Sequence, residues 1–231
     1  MNRKISGLFL LMMALFSAFS AFSQDCGFYP VRKGSVCAYQ SLDGKGKITG
    51  SSRVTLLDVK QAGNTVVYNV RAEFRDDKEK ALPVREYAMK CENGQFSVDM
   101  QSMVDPKSLE GFKDMQLSFT GNDISYPSAL SAGQVLPDAS ITIAAASGGM
   151  SLMKMTVSIT NRKVVGTESV TVPAGTFECF RITYDMETKF GFKMQNSATE
   201  WLNKGAGLVK TETLDKKGKL LGSRILTELS N

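Results

Sequence analysis

Alternation of apolar and polar residues constrains the fold of this chain more than any other feature. Apolar side chains recur at every second position in 66–74, 153–159 and 180–186, with mostly polar residues between them. This period of two is typical of half-buried β-strands, whose side chains point alternately to the two faces of a sheet. Because successive patterned segments lie close together in the chain, antiparallel pairing is expected rather than parallel crossovers.

Turn sequences separate these segments. Asn93-Gly94 is typical of a tight hairpin, and Pro173 and Gly175 occupy the second and fourth places of a type I turn. One exception is Asp105-Pro106, which suits the start of a short helix over 107–112. The sequence therefore predicts an all-β fold of about eleven strands. We expect a single curved antiparallel sheet system, either barrel-like or a sandwich, with one short helix.

The first 23 residues have the pattern of a secretory signal peptide. A short basic start is followed by an apolar run from Gly7 to Phe22, and Ala21 and Ser23 suit a cleavage site. The run is too short for a transmembrane helix, and no second long apolar stretch follows. The sequence predicts a signal peptide over 1–23 and one all-β domain over 24–231. We expect an exported protein, periplasmic or outer-membrane-associated, with no transmembrane span after removal of the signal.

Charge and the lack of histidine narrow the classes of function. Residues 24–231 carry 26 basic against 23 acidic side chains, a net charge of +3, with no dense basic cluster, so no nucleic-acid partner is expected. The chain has 0 His, which removes the usual general base and imidazole metal ligands. No carboxylate pair, nucleophile elbow or phosphate loop replaces them. We therefore expect no enzyme, no metal and no cofactor.

The four cysteines all lie after the signal peptide, at 26, 37, 91 and 179. An even number of cysteines in an oxidising compartment favours two disulfides, for which three connectivities exist. We favour the pairs Cys26–Cys37, because Pro30 and Gly34 permit a short closed loop, and Cys91–Cys179, because each lies beside a hairpin turn. Lipidation of Cys26 is disfavoured, since the three preceding residues, 23–25, are a poor match to a lipoprotein site.

The chain shows internal sequence similarity, because residues 41–51 resemble residues 213–223. Each copy combines an Asp at the first turn position with a Gly at the fourth, which is typical of a type I turn closed by a left-handed glycine bulge. The resemblance reflects either shared turn chemistry or a duplicated hairpin whose copies close the first and last edges of the sheet system.

Two sets of side chains are candidates for binding. Flexible and aromatic residues on alternating strand positions could line an apolar cavity, although the same pattern is also typical of an ordinary core. The candidate ligand-binding residues are Met153, Met155, Phe180, Phe190 and Phe192. Trp201 is the only tryptophan; it could stack on a sugar ring if exposed, but a buried core position is the commoner role.

Three motifs carry a resemblance to a known family. They are Tyr126-Pro-Ser-Ala-Leu-Ser-Ala-Gly-Gln-Val-Leu-Pro-Asp138, Val172-Pro-Ala-Gly-Thr-Phe-Glu-Cys179 and Trp201-Leu-Asn-Lys-Gly-Ala-Gly-Leu-Val-Lys210. In this order the motifs resemble the TapB-like family of exported β-rich proteins of bacterial envelopes, over most of 25–229. The resemblance implies a periplasmic or outer-membrane-facing protein with a highly curved sheet, and it carries over no catalytic residue.

The sequence leaves two functional hypotheses ahead of an enzyme. The first is an exported, non-enzymatic binding or assembly factor of the cell envelope, with an apolar or envelope ligand, and a dry pocket with an open mouth would favour it. The second is a structural interaction module that docks an envelope protein on an exposed sheet edge, and a solid core with an uncharged edge would favour that.

Overall fold

The computed structural model describes residues 26–30, 32–104, 110–112, 115–148 and 150–230. The predicted signal peptide, 1–23, lies outside this part of the chain, as does most of the predicted helix over 107–112, of which only the 3₁₀ turn Glu110–Phe112 is described. A second 3₁₀ turn, Met100–Met103, follows Asp99, whose carboxylate accepts a hydrogen bond from the Gln101 backbone. Among the described residues, no helix has the length and apolar character needed to cross a bilayer.

Within the described residues thirteen strands, against about eleven predicted, form one antiparallel sheet in the order β6-β8-β9-β10-β11-β12-β13-β1-β2-β3-β4-β5-β7. This sheet confirms the predicted all-β, barrel-like architecture. The strands are β1 Val36–Asp43, β2 Ile48–Ala62, β3 Thr65–Asp76, β4 Ala81–Glu92, β5 Gln95–Val98, β6 Gln116–Asn122, β7 Ile124–Pro127, β8 Ala139–Ser147, β9 Met150–Val172, β10 Gly175–Phe190, β11 Phe192–Asn203, β12 Gly207–Leu214 and β13 Leu220–Ser230.

The two edge strands of the sheet are consecutive in the chain. Strand β6 pairs with β8, and after the single residue Asp123 the chain continues as β7, which pairs with β5. The same stretch of backbone therefore joins one edge of the sheet to the other. This crossing nearly closes the sheet into a barrel and turns one face of every strand towards a common interior.

The interior is filled by the apolar residues of the alternating pattern. Leu56, Val70, Ile143, Ile182 and Leu226 are among the side chains with essentially no exposure, and they come from five different strands. Burial of the inward positions explains the period of two, because the outward positions face water. A few polar residues are also buried: Ser35, Ser52, Arg162 and Glu200.

The two similar hairpins, within 41–51 and 213–223, have the predicted turn and lie in the middle of the sheet. In both copies the first Asp accepts hydrogen bonds from the backbone N–H groups two and four residues later: Asp43 at 2.9 and 2.9 Å, and Asp215 at 2.8 and 2.9 Å. The left-handed position is taken by Gly46 and Gly218, with φ of 82° and 78°. However, β13 pairs with β1, so the two hairpins lie side by side within the sheet, and of the two interpretations the one in which they close its edges is wrong.

A third turn of the same design joins β3 to β4. Asp76 accepts from the backbone of Lys78 at 2.8 Å and Lys80 at 2.9 Å, but the left-handed position is held by Glu79, with φ of 59°. The three turns share the pattern Asp-x-Lys-x-Lys at 43–47, 76–80 and 215–219. The resemblance between 41–51 and 213–223 does not reveal this third turn, because Glu79 stands where the other two turns have glycine.

Replacing Glu79 by Gly is expected to stabilise the protein by about 0.5–1 kcal/mol, since a left-handed backbone strains any residue with a Cβ atom. Chemical denaturation of the variant and the wild type measures the difference. Glu73→Gly within β3 is the matched control, and it should lower stability by a similar amount because glycine weakens a strand interior. Equal destabilisation by both substitutions would contradict this account of the turn.

One disulfide forms among the described residues, and it joins Cys26 to Cys91 across 65 residues. The predicted pairs Cys26–Cys37 and Cys91–Cys179 are therefore wrong, and Cys37 and Cys179 are buried free thiols. The physical reason lies in the path of residues 26–30, which turn into the barrel beside the end of β4 instead of folding back along β1. We call residues 26–30 the N-terminal plug.

Candidate functional site

A cavity of about 110 Å³ lies inside the barrel, between the N-terminal plug and strands from both halves of the sheet. Of its 19 lining residues seven are aromatic, so its wall is dominated by ring faces and edges. These are Phe28, Tyr29, Tyr39, Phe74, Tyr87, Phe96 and Tyr126. Besides the tyrosine hydroxyls, four lining residues offer polar side chains: Ser102, Glu200, Thr211 and Arg224. An apolar enclosure with a few convergent polar groups is the usual character of a small-molecule site.

The N-terminal plug supplies one wall of the cavity. Its Cys26–Cys91 bond fixes it to β4, and the Gly27 carbonyl accepts a hydrogen bond from the backbone N–H of Gly205. Phe28, between these anchors, places its ring 5.9 Å from that of Phe96. The plug thus covers the barrel end at which β4 finishes and β12 begins.

Aromatic packing sets the shape of this wall. The ring centroids of Phe28 and Tyr126 lie 6.2 Å apart, and those of Tyr68 and Phe96 lie 6.3 Å apart with an edge-to-face arrangement. Such contacts stabilise beyond simple area burial, because the positive ring edge meets the negative ring face. Strand alternation directs the rings of Tyr68, Phe96 and Tyr126 inward, and Phe28 reaches them from the plug.

Arg224 brings a positive charge to the cavity. Its guanidinium carbon lies 4.1 Å from the centroid of the Tyr39 ring, a cation–π geometry, and its Nη2 donates to the Ser52 hydroxyl at 3.0 Å. These two contacts hold the guanidinium in place while it remains only partly buried. A fixed arginine of this kind can bind an anionic or hydrogen-bond-accepting group.

A buried carboxyl lies deeper in the same wall. Glu200 is 3% exposed, hydrogen-bonds with Tyr126, and leaves Oε1 without a hydrogen-bond partner. Burial raises the pKa of Glu200, although nearby Arg162 and the Tyr126 hydroxyl oppose that rise. The unpartnered oxygen is a polar group that the protein itself does not satisfy, which is uncommon in a folded interior.

Arg162 is fully buried, and its positive charge stabilises the ionised form of Glu200. Its Nη1 donates to the Ser125 carbonyl at 2.9 Å and to the Pro137 carbonyl at 2.7 Å, and its guanidinium lies 4.7 Å from the centre of the Tyr126 ring. Nε and Nη2 have no partner. The guanidinium therefore ties the β6–β7 crossing and the segment before β8 to the interior, and its charge acts on Glu200 from close by.

The two free thiols are not suited to reactivity. Burial raises the pKa of Cys37 to about 11, although hydrogen bonding by Tyr29 and Tyr39 opposes this, and burial likewise raises that of Cys179 to about 11. A thiol with such a pKa is almost wholly protonated at neutral pH and is a weak nucleophile. Among the described residues, no group of three or more Cys, Asp or Glu has the arrangement of a metal site.

The ionisation of Glu200 is expected to reduce stability as pH rises. The folded protein holds the Glu200 proton more tightly than the unfolded chain, whose pKa is near the ordinary 4.5, so stability falls as pH rises from that value through the raised folded pKa. Urea denaturation of the wild type and Glu200→Gln across pH 4 to 9 isolates this effect. The stability difference should shift in favour of the glutamine variant as pH rises; a constant difference would contradict it.

The structure places the five predicted ligand-binding residues outside this cavity. Met153 is buried in the core, and Met155 and Phe180 are partly buried against it. Phe190 and Phe192 flank the β10–β11 turn and are exposed by 41% and 66%. Since Thr156 pairs with Lys189 and Phe190 with Phe192, Met155, Phe190 and Phe192 lie in one row across three strands. Phe180 lies towards the other end of β10, so the set is not brought together.

Trp201 occupies a buried position, 8% exposed, as the more common role of a lone tryptophan predicts. Its indole N–H donates to the Glu168 carboxylate, and the Lys210 ammonium lies 4.8 Å from its ring centre. Stacking on a sugar would require displacement of the lysine. The residues that do line the cavity gave no separate signal in the sequence, because inward-facing aromatic residues on strands are also the ordinary content of a core.

Comparison with known proteins identifies relatives of this fold. A Bacteroides fragilis protein described as exported and as having a YmcC-like fold is 21% identical, with a TM-score of 0.77 over 88% of this chain and 99% of that chain. A Parabacteroides distasonis protein described as a lipoprotein is 24% identical, with a TM-score of 0.76 over 89% of this chain and 100% of the other. These likenesses show the shared fold.

Among curated proteins, none matches the chain significantly. The TapB-like resemblance, carried by the three motifs, stays a prediction. The family comparison matches residues 32–226. This range includes all the strands listed above except the end of β13, residues 227–230. The chain belongs to the DUF3108-like family.

Proposed function

We propose that this protein is an exported, non-enzymatic envelope factor that binds the apolar part of a ligand inside its barrel. The observation that carries the proposal is the aromatic cavity, which the N-terminal plug closes at one end. A core designed only for stability is packed to high density, and an apolar void costs stability in proportion to its volume. A cavity that is maintained at such a cost is most simply explained by an occupant.

The size of the cavity limits the occupant. At about 110 Å³ it is smaller than the roughly 300–1,000 Å³ of pockets that enclose a whole drug-sized molecule. It therefore suits one end of an apolar molecule, such as the last few carbons of an acyl chain. Several lining residues, including Phe74, Tyr87 and Thr211, are only partly buried, so the remainder of such a molecule can extend outwards past them.

The polar groups of the wall suit a ligand with hydrogen-bonding capacity. Arg224 donates hydrogen bonds, and Glu200, when protonated through its raised pKa, donates as well as accepts. Together they favour an uncharged or weakly acidic oxygen-containing group close to the apolar chain. Apart from Glu200 the cavity lining contains no carboxylate, and the hydroxyl groups of Ser102 and Thr211 have no histidine to activate them, which supports binding rather than catalysis.

An envelope location is part of this proposal. The basic start, apolar run and Ala21-x-Ser23 site support export, and both structural relatives are described as exported or lipoprotein. A periplasmic or outer-membrane-associated protein meets lipids and other apolar envelope molecules directly. N-terminal sequencing of the protein from its own host should give Gln24 as the first residue, whereas an intact Met1 or a lipid-modified Cys26 would contradict it.

Decanol binding tests the cavity directly. Calorimetric titration and native mass spectrometry should show one decanol bound per chain, and Ala72→Met, which fills the cavity wall, should weaken binding at least tenfold. Ala145→Met is the matched control, since Ala145 is equally buried but does not line the cavity. Absence of decanol binding together with absence of any co-purifying apolar molecule would contradict the proposal, as would equal affinities of the two variants.

A second candidate function, strand addition at a sheet edge, is favoured by one observation. Edge strand β6 has no charged residue, and among the described strands it pairs only with β8. Uncharged edges are the ones that accept a partner strand. A photo-crosslinking residue at Ser118 should form an adduct with an envelope protein, while the same residue at Thr199 in the central strand β11 should not. Equal labelling at both positions would contradict it.

A further inference from the structure

Five hairpin turns of the barrel lie at the same end. Neighbouring strands alternate in direction along the sheet, so β8, β10, β12, β1 and β3 all run towards one end of the barrel. The turns that follow them, near 148, 191, 215–219, 44–47 and 77–80, therefore form one rim. We call this the upper rim. The N-terminal plug lies at the opposite end, since Cys91 is close to the end of β4, which runs the other way.

One part of the upper rim is apolar and exposed. Phe190, Phe192 and Met194 flank the β10–β11 turn, with 41%, 66% and 45% of their surfaces exposed. The neighbouring β8–β9 turn adds Met150 and Leu152, which are both more than half exposed. Single exposed apolar residues are ordinary on a protein surface, but five at the ends of two neighbouring hairpins make this part of the rim apolar, which indicates an interaction site.

Lysines accompany the apolar residues on the same hairpin. Lys189 and Lys193 are paired directly across β10 and β11, and Glu187 lies 3.3 Å from the first ammonium and 2.6 Å from the second. Like charges at directly opposed positions destabilise a hairpin, and the single carboxylate offsets only one of them. The tip therefore combines exposed aromatic rings with a net positive charge.

The next two hairpins along the rim continue this charge. The β12–β13 turn carries Lys216, Lys217 and Lys219, and the β1–β2 turn carries Lys45 and Lys47, all exposed. Over 187–194, 215–219 and 43–47, seven lysines stand against three carboxylates, a net charge of +4, whereas residues 24–231 as a whole carry +3. The basic stretch ends at the β3–β4 turn, where Asp77 and Glu79 cancel the lysines.

We propose that the upper rim docks on the surface of an anionic lipid bilayer, with Phe190, Phe192 and Met194 entering the interface and the lysines of the three adjacent hairpins contacting lipid phosphates. Aromatic side chains partition into the region of lipid headgroups, and clustered lysines are attracted to anionic headgroups. Apolar groups at the tip of a turn, flanked by cations, match the layered chemistry of a bilayer surface.

The arrangement of the charges favours a bilayer over a protein partner. The lysines lie on the tips of separate hairpins, and each is a flexible point charge rather than part of a shaped, bidentate site. Such groups suit a fluid surface of phosphates, whereas a specific protein interface depletes lysine at its core. The proposal is independent of the interior cavity, because none of these rim residues lines it.

Vesicle co-sedimentation tests the proposal. The protein without its signal peptide should bind vesicles of phosphatidylethanolamine and phosphatidylglycerol at 3:1, and at least tenfold less well to phosphatidylcholine or in 500 mM salt. Phe192→Asp should weaken binding at least tenfold, as should the triple variant Lys189→Glu, Lys193→Glu, Lys217→Glu. Circular dichroism checks that each variant is folded, which the exposure of these side chains makes the expected result.

Matched control substitutions lie away from the rim. Val135→Asp changes an apolar residue that is exposed by 75%, and Lys60→Glu with Lys90→Glu reverses charges on strands β2 and β4. These should leave vesicle binding within about twofold of the wild type. Equal binding to phosphatidylcholine, an equal loss in rim and control variants, or no binding to either vesicle would overturn the proposal. None of these outcomes bears on decanol binding in the cavity.

Discussion

Replacing both Cys26 and Cys91 by serine is expected to lower the free energy of unfolding by about 4 kcal/mol. The bond closes a loop of 65 residues. In the chain-entropy model, a cross-link over that length lowers the conformational entropy of the unfolded state enough to stabilise the folded state by about 4 kcal/mol. Urea denaturation of the double variant and the wild type, both without the signal peptide, measures the difference. The loss should appear as a lower midpoint, and it should match that of the wild type under reducing conditions.

The two buried thiols provide the control for this prediction. Cys37→Ser and Cys179→Ser remove sulfur from buried positions without cutting a cross-link, so neither should make stability insensitive to reductant. Peptide mapping without reduction should recover a Cys26–Cys91 peptide and, after denaturation, free thiols at the other two positions. A Cys26–Cys37 or Cys91–Cys179 peptide would show that the plug does not take the path described above.

Replacing Phe28 by Ala is expected to cost about 3–5 kcal/mol, the range for removal of a fully buried aromatic ring. The ring packs against Phe96 and Tyr126, so the substitution leaves a void on the plug side of the cavity. Phe192→Ala is the matched control, because it removes the same ring from an exposed rim position and should change stability by less than about 0.5 kcal/mol. Thermal and chemical denaturation of both variants gives the comparison.

Phe28 and the disulfide should not act independently. If the cross-link holds the plug in place, Phe28→Ala should cost less in the Cys26→Ser, Cys91→Ser background than in the wild type, because the ring is then only partly seated. A double-mutant cycle measures this coupling. Strict additivity would mean that the plug stays in place through its aromatic contacts alone, and the disulfide would then stabilise only through the unfolded chain.

Strand content could be predicted from the sequence because burial of one face imposes a period of two on each strand. Val66, Tyr68 and Val70 illustrate this, and all three lie on β3 as the pattern indicates. The order of strands could not be predicted, since the same pattern is compatible with many pairings. The neighbours β1 and β13 come from opposite ends of the chain, and nothing in either strand specifies the other.

The pairing of Cys26 with Cys91 could not be predicted, because local sequence does not specify which strands lie near each other. Short separation in sequence favoured Cys26–Cys37, yet the direction of the chain between them carries Cys37 into β1 and leaves Cys26 beside β4. Loop-closure entropy grows only slowly with length, so a 65-residue loop is hardly penalised relative to a short one. Phe28 packs against Phe96 of β5, and this tertiary contact keeps Cys26 beside the end of β4.

Periodicity also explains why the five predicted ligand-binding residues do not lie together in one cavity. Phe190 and Phe192 do share a row with Met155, but alternation does not distinguish the middle of a barrel from its rim. The residues that line the cavity come from the plug and from strands across the whole chain. In the sequence, each of them separately has the pattern of an ordinary core residue. Glu200 on β11 takes an inward position between Ala198 and Leu202, which the alternating pattern assigns to apolar residues.

The pairing of β1 with β13 has a consequence for the order in which the chain can fold. Val36 meets Ser230, a partner made 194 residues later, so the edge of β1 stays open until that part of the chain has been made. An open edge of this kind invites pairing with other chains, and contacts of such long range form slowly. Protection of the β1 edge during synthesis is therefore expected to limit aggregation, and loss of residues 222–230 would leave that edge without its partner strand.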